Sequence, residues 1–224
     1  MKLNRGEVLG LILVAAAFLL SAVLYPRLPE TIPSHWSLHG QPDRFVHKPF
    51  GAFFGPAVMA GVFLLFLALP AVSPRGFRFD GFRPVWAILE ASILGLLFLV
   101  NALVLLFAMG KPVEMTRGVE VGVGLLLVIL GNFMGKLTRN FFVGIRTPWT
   151  IASEEVWLRT HRLGGRLFVL AGVVVVGSAL LGAGWIPADV AIGAAALISV
   201  VYSYLLYRRL EGFKEQAPGN DSSL

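Results

Sequence analysis

Histidine and carboxylate side chains recur at four-residue intervals in a polar stretch near the start of the chain. They are His35, His39, Asp43 and His47. On a helix, residues four apart share a face, and three imidazoles with a carboxylate can hold zinc. Gly40 and Pro42 interrupt such a helix, so a compact, turn-rich loop with ordinary histidine hydrogen bonds competes with the metal site. We predict the loop, with no bound metal and no cofactor.

A second polar stretch, residues 131–166, combines six basic residues with two tryptophans, paired glutamates and a histidine. A catalytic or metal site here would use Glu154, Glu155 and His161. The stretch has no HExxH spacing, no serine set beside a base, and the chain contains no cysteine. Zinc hydrolysis and nucleophilic catalysis both need such arrangements. We therefore predict that the protein is not an enzyme.

Turn and capping signals give this stretch a local structure. Gly144 can take a positive φ and Pro148 restricts the backbone, which predicts a tight turn. Ser153 is a good N-cap for a short helix over about Glu154–Arg162. Gly164 and Gly165 are then expected to end that helix before the next apolar run.

Two non-catalytic interpretations of the stretch stay open. One is an interfacial amphipathic helix, with its tryptophans among lipid headgroups and its arginines on anionic lipid. The other is a surface that binds a protein or peptide, because aromatic and arginine residues dominate binding hot spots. The candidate contact residues are Arg146, Trp149, Trp157, His161 and Arg162.

The elements that must position both stretches are apolar. Of the 224 residues, 56% are hydrophobic and 14% are charged, well below the ~25% charge of soluble domains. Several runs reach the ~20 residues that a helix needs to cross a bilayer. The sequence predicts an all-α membrane protein with six transmembrane helices. Their approximate ranges are Val8–Tyr25, Ala52–Val72, Val85–Met109, Val119–Phe133, Leu167–Gly182 and Asp189–Tyr207.

The distribution of basic residues predicts the orientation. A cytoplasmic N-terminus places most of the 19 lysine and arginine residues inside, as the positive-inside rule requires. Both termini and segment 134–166 are then cytoplasmic, and loop 26–51 faces outward. We therefore assign the net charge of +6 to topology rather than to direct nucleic-acid binding. The polar tail 211–224 is predicted to be disordered.

The two long loops fall on opposite faces of the membrane in the two halves of the chain. A 3+3 inverted repeat would produce this layout, although two long loops can also fall this way by chance. Glu90 and Asn101 lie within the third span, where polar groups are costly and often functional. We expect Glu90 to pair with Arg83 or with an arginine of segment 131–166. The alternative is a small transporter or channel-like protein in which Glu90, Asn101 and Asn132 line a path.

The outer loop resembles the DUF1648 membrane module. The residues that match its pattern, in order, are Pro33, His35, Trp36, Gly40, Pro42, Asp43, Phe45 and Lys48. The resemblance covers about Val8–Pro70 and implies a unit over residues 1–72, with two helices and a structured outer loop. It implies no particular chemistry.

Segment 131–166 resembles the signature of SdpI-type immunity proteins, N-x-x-x-G-I-R-T-P-W-T-x-x-S-x-x-V-W-x-x-T-H-R-x-G-G. The matching residues are Asn140, Gly144, Ile145, Arg146, Thr147, Pro148, Trp149, Thr150, Ser153, Val156, Trp157, Thr160, His161, Arg162, Gly164 and Gly165, with Gly131, Asn132 and Lys136 upstream. The resemblance covers about Val119–Tyr207. It implies an SdpI-like region over residues 119–210, with the third helix and its connectors over 73–118.

The SdpI resemblance implies a multi-pass protein of the bacterial cytoplasmic membrane that confers resistance to a secreted antimicrobial peptide. In the type system, the immunity protein also holds a small transcriptional repressor at the membrane when toxin is present. The expected partners are therefore the lipid bilayer, a peptide toxin and an ArsR-like repressor.

Overall fold

The computed structural model describes residues 5–37, 40–73 and 79–212. Within these ranges the chain is mostly helical. The helices are α1 (Arg5–Leu24), α2 (Lys48–Ala68), α3 (Arg83–Ala108), α4 (Met115–Met134), α5 (Pro148–Ala152), α6 (Glu154–Leu181) and α7 (Ile186–Leu210), and the strands are β1 (Thr31–Trp36) and β2 (Pro42–His47). All the helices except α5 are long and apolar enough to cross a membrane. This confirms the predicted helical membrane fold with six spans, to which the structure adds one two-stranded hairpin.

Loop 26–51 contains a β-hairpin, which differs from the turn-rich loop that the sequence predicts. β1 and β2 pair antiparallel, with Ile32 opposite Val46. Ile32 is fully buried, in a cluster with Ala52 of α2 and Leu105 of α3. The glycines and prolines of this loop favour turns, whereas the β-branched residues beside them form the strands and anchor the hairpin on the helices.

The predicted short helix and the predicted fifth span are one helix, so the expected break at Gly164 and Gly165 is wrong. α6 runs without interruption from Glu154 to Leu181. Both glycines are buried and pack so closely against neighbouring elements that a side chain on either would overlap them. Close packing there outweighs the ~1 kcal/mol by which glycine disfavours a helix interior.

Glycine pairs bring α4 and α6 into backbone contact. A Cβ added to Gly131 would lie 2.6 Å from the carbonyl oxygen of Gly165, and one added to Gly124 would lie 2.8 Å from that of Gly172. Both distances are shorter than real Cβ contacts, so only glycine fits. Small residues allow such close approach between membrane helices.

The remaining packing divides the chain into two groups of helices. α1, α2 and α3 pack against one another and carry the hairpin, while α6 packs against α4 and α7. α3 also contacts α4, and a cluster containing Phe66, Trp86, Met134 and Trp157 joins the two groups at the end opposite the hairpin. The membrane orientation, the inverted repeat and the domain boundaries stay predictions. Residues 213–224 of the predicted disordered tail lie outside the described residues.

Candidate functional site

The signature segment begins with a backbone clamp formed by Asn140. Its side-chain oxygen accepts hydrogen bonds from the backbone N–H groups of Phe142 and Val143, both at 2.8 Å. Its side-chain nitrogen donates to the carbonyl of Thr138 at 2.9 Å. Asparagine commonly fixes turns through such local bonds. Asn140 is fully buried, so its role in the fold is to set the path of the chain after α4.

His161 holds the next part of the segment through both of its ring nitrogens. Nε2 accepts a hydrogen bond from the backbone N–H of Ile145 at 3.0 Å. Nδ1 lies 2.8 Å from the carbonyl oxygen of Trp157 and must donate to it. This pattern requires a neutral imidazole with its proton on Nδ1. Gly144 has a φ of 107°, and a Cβ there would overlap the imidazole, so both its conformation and its position require glycine.

Trp157 ties the start of α6 to the rest of the bundle. It is fully buried, and its indole Nε1 donates to the carbonyl of Leu137 at 2.7 Å. Its ring stacks on His161 with a centroid distance of 3.9 Å and packs in the cluster that includes Phe66 and Trp86. The tryptophan therefore links α6 to α2 and α3.

The Thr-Pro-Trp-Thr sequence forms the short helix α5 and attaches it to α7. Thr147 and Thr150 form a reciprocal capping box, with Pro148 in the first turn. The hydroxyl of Thr147 also lies 3.1 Å from that of Ser203 on α7. Trp149 packs edge-on against Tyr204, with ring centroids 5.1 Å apart. The sequence predicts the turn at Gly144 and the role of Pro148, but not this extra helix.

Ser153 caps α6 as predicted and also joins it to the end of α7. Its hydroxyl oxygen accepts from the N–H of Val156 at 3.5 Å and donates to a carboxylate oxygen of Glu211 at 2.8 Å. Thr160, one turn before the glycine pair, is fully buried and its hydroxyl has no partner among the described residues. The buried signature residues thus fix the geometry of the segment.

The exposed signature residues form a basic surface around this folded unit. Arg146, Arg162 and Asn132 are exposed, and Trp149 is half-buried. Arg146 donates from its guanidinium to the carbonyl of Phe141 at 2.5 Å. Trp157 and His161 are instead fully buried, so in this conformation they cannot touch a partner directly, although the sequence makes them candidate contacts.

The carboxylates and histidine of the segment are not assembled into a reactive site. Glu154 and Glu155 are exposed, and Glu155 pairs with Arg159 at 2.5 Å. Both ring nitrogens of His161 are occupied by backbone groups. Among the described residues there is no group of three or more His, Cys, Asp or Glu side chains placed to hold a metal ion.

The hairpin brings His35 and Asp43 together but does not gather the four-residue series. His35 Nδ1 lies 2.6 Å from a carboxylate oxygen of Asp43, and both side chains are about half exposed. His47 ends β2, and His39 lies outside the described residues. Gly40 has a φ of 74°, and its backbone approaches Thr116 at the start of α4. The hairpin turn therefore contacts the second helix group.

The polar residues of α3 face glycines on neighbouring helices. Glu90 packs against Gly10 of α1, and Asn101 packs against Gly55 of α2. Both side chains are buried, and neither Glu90 Oε1 nor Asn101 Nδ2 has a hydrogen-bond partner within the described ranges. The pairing predicted for Glu90 is therefore not seen at its Oε1 among the described residues. Asn132 is exposed on α4, so the structure does not bring it together with the other two to line a path.

Two family models match separate parts of the chain. The SdpI/YfhL protein family matches residues 136–203, and the DUF1648 domain of unknown function matches residues 12–60. The chain is 31% identical over 210 residues to Immunity protein SdpI of Bacillus subtilis (strain 168), covering 93% of this chain and 99% of that protein. The chain belongs to the SdpI family. This confirms the resemblance found in the sequence.

A second relative is shorter. The SdpI-family chain is 44% identical over 46 residues to the uncharacterized membrane protein YbgB of Bacillus subtilis (strain 168), covering 20% of this chain and 50% of that protein. No solved structure matches the chain significantly.

Sequence reasoning missed several residues that shape this SdpI-family structure. The paired glycines 124/131 and 165/172 have equal seven-residue spacings, a signal that could have predicted the contact between α4 and α6. Ser203 and Glu211 of the α7 region show no such signal, because a lone polar residue in or after an apolar helix does not indicate what it contacts.

Proposed function

We propose that the chain is an integral membrane immunity protein that protects a bacterium from a secreted antimicrobial peptide. The observation that carries this proposal is the similarity to Immunity protein SdpI over 93% of this chain and 99% of that protein. A match of this extent includes both the hairpin-bearing half and the signature segment, so the similarity does not depend on one motif.

The placement of charge supports a hairpin facing outward and a signature segment facing the cytoplasm. Exposed basic side chains gather where α4 ends, α6 begins and α7 ends. They are Lys136, Arg146, Arg159, Arg162, Arg166, Arg208 and Arg209. Cationic ends of membrane helices favour the cytoplasmic side. In this arrangement a toxin arriving from outside meets the hairpin end first.

The signature segment serves this function by holding the inner ends of the helices together. Trp157 links α6 to α2 and α3, while Thr147 and Ser153 link the α5–α6 junction to the α7 region. These are positioning residues. None of them is exposed, so none can contact a toxin directly. Their loss would instead shift the helices and, through them, the outer surface.

The proposal extends to a second role, the holding of an ArsR-like repressor at the inner face. The exposed arginines, with half-buried Trp149 beside them, supply the residue types that dominate binding hot spots. A repressor encoded beside this gene and fused to a fluorescent protein should move to the membrane when toxin is added. Arg146→Ala with Arg162→Ala should keep it in the cytoplasm without lowering membrane levels of the chain. A repressor that stays at the membrane in this variant would contradict the assigned surface.

The immunity function is tested by complementation. A Bacillus subtilis 168 strain lacking Immunity protein SdpI would carry this chain, the native protein or an empty vector. Each strain would be exposed to conditioned medium from the immunity-proficient parent. We expect survival with the chain well above that with the vector. Vector-level killing, with the chain present in the membrane and the native protein protective, would contradict the proposal.

A further inference from the structure

A cavity of about 440 Å³ lies beneath the hairpin, between the neighbouring parts of α2 and α3. Apolar side chains such as Phe50, Phe54 and Val104 form most of its lining, together with Trp36 and Asn101. Its volume is within the range of roughly 300–1,000 Å³ found for small-ligand pockets. Phe50 and Phe54 in its lining are more than half exposed, so the cavity can be reached from the surface of the bundle.

Two hydrogen-bond donors on residues that line this cavity have no partner in the part of the chain that the structure describes. The indole Nε1 of Trp36 and the carboxamide Nδ2 of Asn101 are buried and unpaired within the described ranges. Asn101 is only 5% exposed. Unpaired amide and indole N–H groups are unfavourable away from water. An occupant that supplies acceptors would remove this cost.

The depths of the two donors indicate what the occupant offers. The Trp36 ring meets Phe107 edge-on, with centroids 5.7 Å apart, close to the end of α3. Asn101 is six residues earlier on α3, which is about 9 Å along the helix axis. A phospholipid chain carries oxygen only at its glycerol end and would reach one donor. An extended peptide carries a carbonyl every ~3.3 Å, so roughly three residues span both levels.

We propose that the cavity binds an extended apolar peptide segment whose backbone carbonyls accept hydrogen bonds from Trp36 Nε1 and Asn101 Nδ2. The apolar side chains of the segment fill the space lined by Phe50, Phe54 and Val104. This proposal rests on the immunity function, because the segment belongs to the peptide against which the chain protects. The hairpin covers one side of the cavity, so its position over α2 and α3 determines whether the peptide can enter.

Substitutions that remove one donor each test the site in the complementation assay. Asn101→Leu keeps the approximate shape of the side chain, and Trp36→Phe keeps an aromatic ring against Phe107. Ser21→Ala is the matched control, because its hydroxyl is also buried and unpaired but does not line the cavity. Each donor variant should lower the tolerated dose of conditioned medium about tenfold, the factor expected for one buried hydrogen bond. Ser21→Ala should protect like the unsubstituted chain.

A direct binding measurement uses the absence of cysteine from the chain. Phe54→Cys, at the cavity, and Leu64→Cys, exposed farther along α2, would each carry a bimane label in phosphatidylglycerol-containing nanodiscs. The probe is the active peptide purified from the conditioned medium. We expect a saturable emission shift at position 54, none at position 64, and none at position 54 when Asn101→Leu is also present. Parallel nanodiscs with brominated acyl chains report lipid in the cavity by quenching.

The outcomes separate the site from the function. Full protection and an unchanged bimane response in the donor variants would overturn the cavity proposal and leave the immunity function standing. Failure of the unsubstituted chain to protect would overturn both. Strong quenching at position 54 by brominated lipid that the peptide does not relieve would identify a lipid occupant and overturn the peptide site.

Discussion

The signature segment and the hairpin-bearing half differ in how many of their buried polar groups form hydrogen bonds. In the signature segment, Asn140, Trp157 and His161 bond to backbone groups, and among the described residues of that segment the buried unpaired atom is Thr160 Oγ1. In the half formed by α1–α3 and the hairpin, the buried unpaired atoms belong to Ser21, Trp36, Glu90 and Asn101.

Paired and unpaired buried polar groups have different consequences for a protein. A buried polar group that is fully paired stabilises one conformation, which is what the signature residues do. A buried polar group without a partner lowers stability and is retained at functional positions more readily than elsewhere. The buried polar groups of the signature segment thus serve its fold, whereas Trp36 and Asn101 in the other half carry the two donors on which the proposed cavity site rests.

Removing the central imidazole should have the largest effect on stability. His161→Ala removes a fully buried ring, its stacking on Trp157, and the acceptor for the N–H of Ile145. We expect a loss of about 3–4 kcal/mol in the free energy of unfolding, from cavity formation plus an unpaired buried donor. Thermal unfolding of the purified protein in detergent measures it. His35→Ala, on the exposed hairpin surface, is the control, and an equal loss there would remove the contrast between the two regions.

Two asparagines allow a matched comparison of hydrogen-bond pairing at the end of the bundle opposite the hairpin. Asn140→Ala removes a buried clamp of three hydrogen bonds and should cost about 2 kcal/mol, because buried N–H groups lose their acceptor. Asn132→Ala changes an exposed residue and should leave the melting temperature nearly unchanged. Equal melting temperatures for the two variants would show that the clamp does not stabilise the segment.

In the hairpin-bearing half, removing a polar group should have the opposite sign. Asn101→Leu replaces an unpaired carboxamide with an apolar side chain of similar shape. Such a replacement is neutral or stabilising by about 1 kcal/mol, since no hydrogen bond is lost. The melting temperature in detergent should therefore stay constant or rise while protection falls. A destabilisation like that of Asn140→Ala would indicate that Asn101 is paired in the membrane.

The smallest effect on stability is expected at the exposed basic surface. Arg146 bonds only to the carbonyl of Phe141 in the hydrogen bonds that the structure shows for it. Substitution to alanine should change the free energy of unfolding by no more than the ~0.5 kcal/mol typical of exposed positions. Membrane levels and melting temperature would check this. A large loss would place Arg146 with the positioning residues rather than with the binding surface.

The sequence predicts the elements whose signal is local and misses those whose cause is tertiary. Apolar length predicts the six spans, and capping chemistry predicts Ser153. The strand pairing at Ile32 and Val46 depends on a hydrophobic anchor supplied by α2 and α3. The continuity of α6 through Gly164 depends on neighbours that take the place of a side chain.

The candidate site shows the same limit. Residue types alone make Trp157 and His161 resemble contact residues, because tryptophan and histidine are common in both interfaces and cores. Only burial separates these cases. In contrast, nothing near Asn101 in the sequence indicates a cavity, since the lining residues come from separate elements.

α6 is one continuous helix, long enough to cross the whole thickness of a bilayer, so it can move as a rigid rod. Its 28 residues extend about 42 Å at 1.5 Å per residue. The glycine contacts with α4 lie along its middle, so the two helices meet there backbone to backbone. A tilt of about 5° around the glycine contacts would move each end of a helix this long by roughly 2 Å. A displacement at the Leu181 end would therefore reach the cap at Ser153 as a rigid movement, without any change in the helix itself.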